Sequence, residues 1–219
     1  MKKKVLLTTA IVFAISANVF ASPQKLDYTQ ASNAAIDLGA VISPKIENND
    51  LNSLGVKLDG KTSFYGAVTY TGEHQDAIQY KYTENKADGS VTYGGVTASA
   101  DGNVKAQEVN FICKINENLL GFVGYTNNKV SIGSLNSTTN GAQIGVTGMT
   151  KLGKNANGWL TAAYGQKITS YEAGVGVSLN KNTELNLVYN DTKYRNFEYS
   201  SEKFNVEAKG ARVGLTFAL

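Results

Sequence analysis

The last nine residues, Ala211-Arg-Val-Gly-Leu-Thr-Phe-Ala-Leu219, alternate without a break. Ala211, Val213, Leu215, Phe217 and Leu219 fall on one face of a strand; Arg212, Gly214, Thr216 and Ala218 fall on the other. An apolar face opposite a small or polar one suits a strand with hydrocarbon outside and a crowded polar lumen inside. Hydrocarbon offers no partner for a free backbone edge, so a sheet built of such strands must close on itself.

The other end of the chain reads as an export signal. Lys2, Lys3 and Lys4 precede a mostly apolar run from Val5 to Ile15, and Val19-Phe-Ala21 places small residues before a cleavage point at Ser22. The apolar run is short for a membrane-spanning helix, which needs about 20 residues. Residues 1–21 are therefore expected to be a signal peptide and residues 22–219 one barrel domain. The leader also carries the charge excess. The chain has 21 Lys+Arg against 18 Asp+Glu, and three of the lysines are in the leader, leaving 18 against 18. No basic run remains to suggest nucleic acid. Cys113 is the single cysteine, so no intramolecular disulfide can form.

Beyond residue 21 the recurring period is two, not that of a helix. Ten strands are predicted, at about 34–43, 62–72, 76–86, 104–115, 119–130, 140–152, 158–165, 169–180, 183–193 and 204–219. In the fourth, Val109, Phe111, Cys113 and Ile115 oppose Glu108, Asn110, Ile112 and Lys114. In the eighth, Tyr171, Ala173, Val175, Val177 and Leu179 oppose Glu172, Gly174, Gly176 and Ser178. The second, fifth and seventh are apolar on both faces, which leaves their register open. Short polar turns follow the even strands, and segments 44–61, 87–103, 131–139 and 194–203 follow most odd ones. That asymmetry matches tight periplasmic turns and longer outer loops. The 87–103 segment can form a raised hairpin across Gly94-Gly95. Were the first strand a tail and residues 158–168 a bend, eight strands would remain.

A secreted β-sandwich also has many short strands. It would pack its apolar face and turn its charges out, whereas here lysines and acids share a face with Gly, Ser and Thr. Asp37, Lys81, Glu108, Lys114, Glu172, Glu184 and Arg212 are assigned to the lumen. Arg212 and Glu172 lie at similar depth, so a salt-bridged plug and a water-filled lumen are both open readings. Tyr125, Tyr164, Tyr171 and Tyr189 are assigned to one membrane interface, and Trp159 and Phe217 to the other.

The signal peptide, the strand-and-turn rhythm and the C-terminal strand Ala211–Leu219 resemble the small bacterial outer-membrane β-barrels of the OmpA transmembrane-domain and opacity-protein type. The resemblance implies an all-β closed antiparallel barrel in the outer membrane, its final strand read by the assembly machinery. In that class the last residue is usually aromatic; here the chain ends in Leu219, with its aromatic at Phe217.

The residues argue against catalysis. His74 is the only histidine and falls in a predicted periplasmic turn, out of reach of a substrate in the outer half. Ser134, Ser137, Ser200 and Ser201 are loop serines without a partner base. One His and one lipid-facing Cys make no metal site, and no cofactor is expected. Gly174-Val-Gly176 lacks the helix that a phosphate loop needs. The expectation is a monomeric, non-enzymatic barrel in contact with outer-membrane lipid. Its role is structural or that of a narrow porin-like channel; the alternative is a surface adhesin or ligand-binding barrel acting through its loops. Tyr93, Tyr194, Phe197 and Tyr199 could anchor a partner, but their alternation favours rungs of strands that run past the membrane.

Overall fold

A computed structural model describes residues 33–47, 57–72, 76–93, 96–133, 135–199 and 202–219. Residues 1–21, expected to be the signal peptide, and His74, Ser134, Ser200 and Ser201 lie outside the described residues. Eleven strands are described: β1 (Ala34–Glu47), β2 (Lys57–Lys61), β3 (Ser63–Thr71), β4 (Asp76–Tyr93), β5 (Val96–Asn116), β6 (Leu119–Ile132), β7 (Leu135–Lys151), β8 (Ala156–Gly165), β9 (Ile168–Ser178), β10 (Thr183–Tyr199) and β11 (Glu202–Ala218).

Every pairing is antiparallel, and the order runs β4-β3-β1-β11-β10-β9-β8-β7-β6-β5 and back to β4. The sheet is closed. β2 pairs only with β4, from Lys57 opposite Ser90 to Lys61 opposite Lys86, and so continues the stave that β3 begins. Ten staves result, as the alternation predicted, and among the described residues no second sheet is stacked on them.

Closure rests on the first and last long strands. β1 and β11 pair from Ala35 opposite Ala218 to Ile42 opposite Ala211, and the Leu219 amide donates to the Ala34 carbonyl at 2.8 Å. Above Ile42 the register shifts at a bulge where Ser43 takes a φ of 43°. Gly60 passes so close to the Ser43–Pro44 backbone that a Cβ there would overlap it. Glycine is what lets β2 fill the stave at that point.

The predicted outer loops are mostly strand. β5 runs 21 residues, about twice what a tilted strand needs to cross hydrocarbon. Only 94–95, 133–134 and 200–201 separate the tallest hairpins, and segment 44–61 contains the end of β1 and all of β2. The extensions hold because their inward positions become apolar: Ile46, Val104, Val130, Ile132, Tyr194, Phe197, Phe204 and Val206 form one buried cluster. Tyr194 and Phe197 are therefore rungs of this cluster and not exposed anchors. The β8–β9 hairpin is the exception and turns early, at 166–167. Above it the Glu198 amide donates to Ser137 Oγ at 2.9 Å, so β10 and β7 approach each other directly.

The outer wall carries the apolar band. Leu38, Val68, Ile78, Val109, Val123, Ile144, Leu160, Val175, Leu187 and Val213 are all exposed. Such an unbroken apolar belt around a closed sheet is the surface of a membrane-spanning barrel. The three strands of open register settle in the same way. Phe64, Val123 and Leu160 point outward, while Ala67, Leu120 and Trp159 point inward.

Candidate functional site in the barrel lumen

At mid-height the lumen holds a layer of paired charges between two apolar layers. Arg212 of β11 reaches across to Glu172 of β9 and hydrogen-bonds its carboxylate. The same carboxylate receives the indole N–H of Trp159, from β8, at 3.1 Å. Lys81 of β4 stands 3.6 Å from Glu172 and 3.7 Å from Glu108 of β5, joining opposite walls. Gln143 of β7 donates to Glu108 Oε2 and to Asn110 Oδ1, both at 2.8 Å. Tyr65 closes the group, its ring 4.2 Å beneath the Arg212 guanidinium carbon.

A buried carboxylate left alone would cost several kcal/mol, and here the cations and neutral donors offset that cost together. Trp159, Glu172 and Arg212 are each at least 91% shielded from solvent. A cavity of about 40 Å³ lies beside Lys81, Glu108 and Glu172, room for a few waters.

Apolar side chains close the lumen on both sides of this layer. Towards the turns, Ala35, Ala77, Ile112, Leu120, Met149, Trp159 and Val188 pack together, with Phe122 against them. Towards the loops stands the Phe197–Phe204 cluster, whose two rings lie 5.6 Å apart.

The lumen-assigned charges all occupy inward positions, though not in one group. Glu108, Glu172, Lys81 and Arg212 form the network. Asp37 lies nearby on β1 and accepts a hydrogen bond from Thr216. Glu184 is fully buried near the turns, with Asn157 Nδ2 at 3.4 Å. Lys114 stands at the turn-end mouth, half-buried. Tyr65, Gln143, Asn186 and Thr216 also belong to the lumen and were not singled out by sequence. For Asn186 and Thr216 the signal was parity, since they share a strand face with Glu184 and Arg212; Tyr65 and Gln143 lie on strands where no residue was assigned inward.

Of the aromatics assigned to the membrane rims, Tyr125, Tyr164, Tyr171 and Tyr189 face outward at one level. Arg195 stacks over Tyr164 at 5.3 Å. Phe217 is half-exposed at the turn end. Trp159 departs from its expected place. Only 4% exposed, it points into the lumen, because Leu160 takes the outward position and Glu172 supplies a buried acceptor for the indole. Tyr70 and Tyr80 stand outward as well.

No family model and no curated protein matches the chain. Solved structures do. The outer membrane protease OmpT of Escherichia coli superposes with a TM-score of 0.52 at 14% identity, over 90% of this chain and 100% of that one. The fold is that of the outer-membrane β-barrels. Ail, the attachment invasion locus protein of Yersinia pestis, aligns at a TM-score of 0.41 and 11% identity, over 87% of this chain and 100% of its own. OprG of Pseudomonas aeruginosa aligns at 0.36 and 12%, over 87% and 97%.

Proposed function

We propose that this chain is a non-enzymatic, monomeric barrel of the bacterial outer membrane, acting as a sealed structural wall. The sealed lumen carries this reading: a cross-braced charge layer stands between two packed apolar layers. A conducting pore needs a continuous polar path. A space the size of a few waters, capped on both sides by aliphatic and aromatic side chains, favours the structural role over that of a narrow porin-like channel.

Export through the N-terminal leader and reading of β11 by the assembly machinery belong to the same proposal. The outward Val213–Leu215–Phe217 row supports the second of these. Purified protein refolded into planar bilayers tests the sealed state. Electrical silence is expected at moderate voltage, and steady large conductance would restore the channel reading.

A second reading has its own observation. All staves except β8 and β9 rise past the tyrosine level on a packed interior, a rigid column able to present its rim to another surface. On this reading the barrel is an adhesin or ligand-binding protein. Binding of cells expressing the chain to host-cell or glycan surfaces, lost when the rim at 94–95 and 200–201 is replaced, tests it.

A further inference from the structure

The barrel changes width on one flank. The β8–β9 hairpin turns at 166–167, and above it the Glu198 amide of β10 donates to Ser137 Oγ of β7 at 2.9 Å. Ten staves lose two, β8 and β9, and become eight. The hairpin top is left as a ledge on the outer wall. It stands just above Tyr164 and Tyr171, which are 63% and 52% exposed. Below them the same flank presents Leu160, Val175 and Leu187 to hydrocarbon.

The ledge is cationic, and its central side chain is fixed. β10 bulges after Tyr194, with Asn196 at a φ of 57°, and Arg195 is turned back over the hairpin. Its amide donates to the Lys167 carbonyl at 2.8 Å, its Nη1 to the Gly165 carbonyl at 3.2 Å, and its Nη2 to Thr169 Oγ1. The guanidinium carbon lies 5.3 Å from the Tyr164 ring centre. The side chain spends two of its five N–H donors there, so three remain for a ligand. Lys167 joins it, its stem lying along Gly141 of β7, where a Cβ would stand 3.0 Å from Lys167 Cγ. Lys193, the cross-strand partner of Thr169, is exposed beside them. Among the described residues no carboxylate stands within ion-pair distance of Arg195, Lys167 or Lys193. The two acids on neighbouring rungs face Lys209 instead: Asp191 is its cross-strand partner, and Glu207 meets it at 2.8 Å.

Tight turns at the other end put the loop end outermost, so the ledge falls among outer-leaflet headgroups. We propose that it binds a phosphorylated lipid of that leaflet, with Arg195 and Lys167 on the phosphate and the acyl chains against Leu160, Val175 and Leu187. Lys193 adds attraction at the edge. Arginine meets phosphate through parallel N–H donors, and a guanidinium held in advance loses little freedom on binding. The aliphatic wall directly beneath selects a lipid over a soluble anion, which would leave that surface unused. Nothing in this recognition depends on the lumen, so a sealed wall and an adhesive column would share it.

Protein folded in a neutral detergent is titrated with lipid A, a phosphorylated glycolipid, and the bound lipid is followed by native mass spectrometry. A single lipid A should be retained, far more tightly than the same lipid stripped of its phosphates. Arg195→Gln and Lys167→Gln should each weaken it about fivefold, the effect of one cation beside an anionic headgroup. Lys167 lies in a turn, so its variant keeps the test open if Arg195→Gln fails to fold. Lys129→Gln, which removes an exposed lysine of β6, should leave the affinity unchanged. Equal affinity in parent and ledge variants, equal binding of the stripped lipid, or the same loss in Lys129→Gln would overturn the site. Displacement of lipid A by an equal concentration of pyrophosphate would also do so, since the ledge would then be a site for free anions.

Discussion

The indole N–H of Trp159 on β8 donates to Glu172 Oε1 on β9 at 3.1 Å, from inside the barrel wall. Trp159 and Gly174 are direct cross-strand partners, and the ring lies flat over that glycine. A Cβ on Gly174 would come within 2.6 Å of three indole atoms. One small residue, one large one and one acid thus form a unit, each needing the shape or charge of the others.

The position of Trp159 makes its fluorescence a probe of the lumen. In vesicles containing brominated lipids, a tryptophan facing hydrocarbon is quenched by contact. Trp159 emission should be nearly unaffected, while a Tyr164→Trp variant, placed on the exposed outer wall, should be strongly quenched. Gly174→Ala should displace the ring and break its hydrogen bond, shifting the emission maximum and lowering stability by about 1–3 kcal/mol, the cost of leaving a buried acceptor short.

Arg212 and Glu172 should behave as a coupled pair. Arg212→Met leaves Glu172 with Lys81 at 3.6 Å and the Trp159 N–H only, and should cost about 3–5 kcal/mol in urea unfolding from detergent. Adding Glu172→Leu removes the stranded charge and should recover much of the loss. A double-mutant cycle showing two independent, additive penalties would mean that the contact carries no coupling.

These residues also show how far the sequence could be read. Period-two alternation was enough for the ten staves, for the outward rows such as Val109–Phe111–Ile115, and for the common depth of Arg212 and Glu172. It failed where both faces are apolar. Trp159 and Leu160 are equally hydrophobic neighbours, so parity in β8 was undetermined until Glu172 claimed the indole. It failed again above the membrane, where inward Ile46, Ala87, Ile132 and Phe197 replace polar lumen residues and the familiar pattern disappears; the segments that carry them read as loops. Contacts across the barrel, such as Lys81 to Glu172, depend on diameter and strand stagger, which no single strand encodes.

Phe197 anchors the loop-end cluster. It is fully buried, and its ring stands 5.6 Å from that of Phe204. Phe197→Ala should cost about 3–5 kcal/mol, the range for deleting a buried aromatic. The loss should appear as faster protease cleavage of the extended hairpins. The membrane-embedded staves should keep their gel mobility, because their own packing lies in a separate cluster.

Glu84 offers a pH test outside the hydrocarbon. It sits on the outer wall above the Tyr80 level, where Asn103 Nδ2 donates to it at 3.0 Å and Lys86 and Lys105 approach to 3.1 and 3.4 Å. Burial alone would push its carboxyl up, but the Asn103 hydrogen bond and the two lysines outweigh that and hold it below its ordinary value of 4.5. A carboxyl lowered in the folded state stabilises folding above its unfolded value and loses that contribution as pH falls through the folded one. Glu84→Gln should therefore lower the unfolding temperature at pH 7, and the difference between variant and parent should shrink as pH drops below about 4.5. A constant difference across that range would show that shape, not charge, accounts for the effect of Glu84.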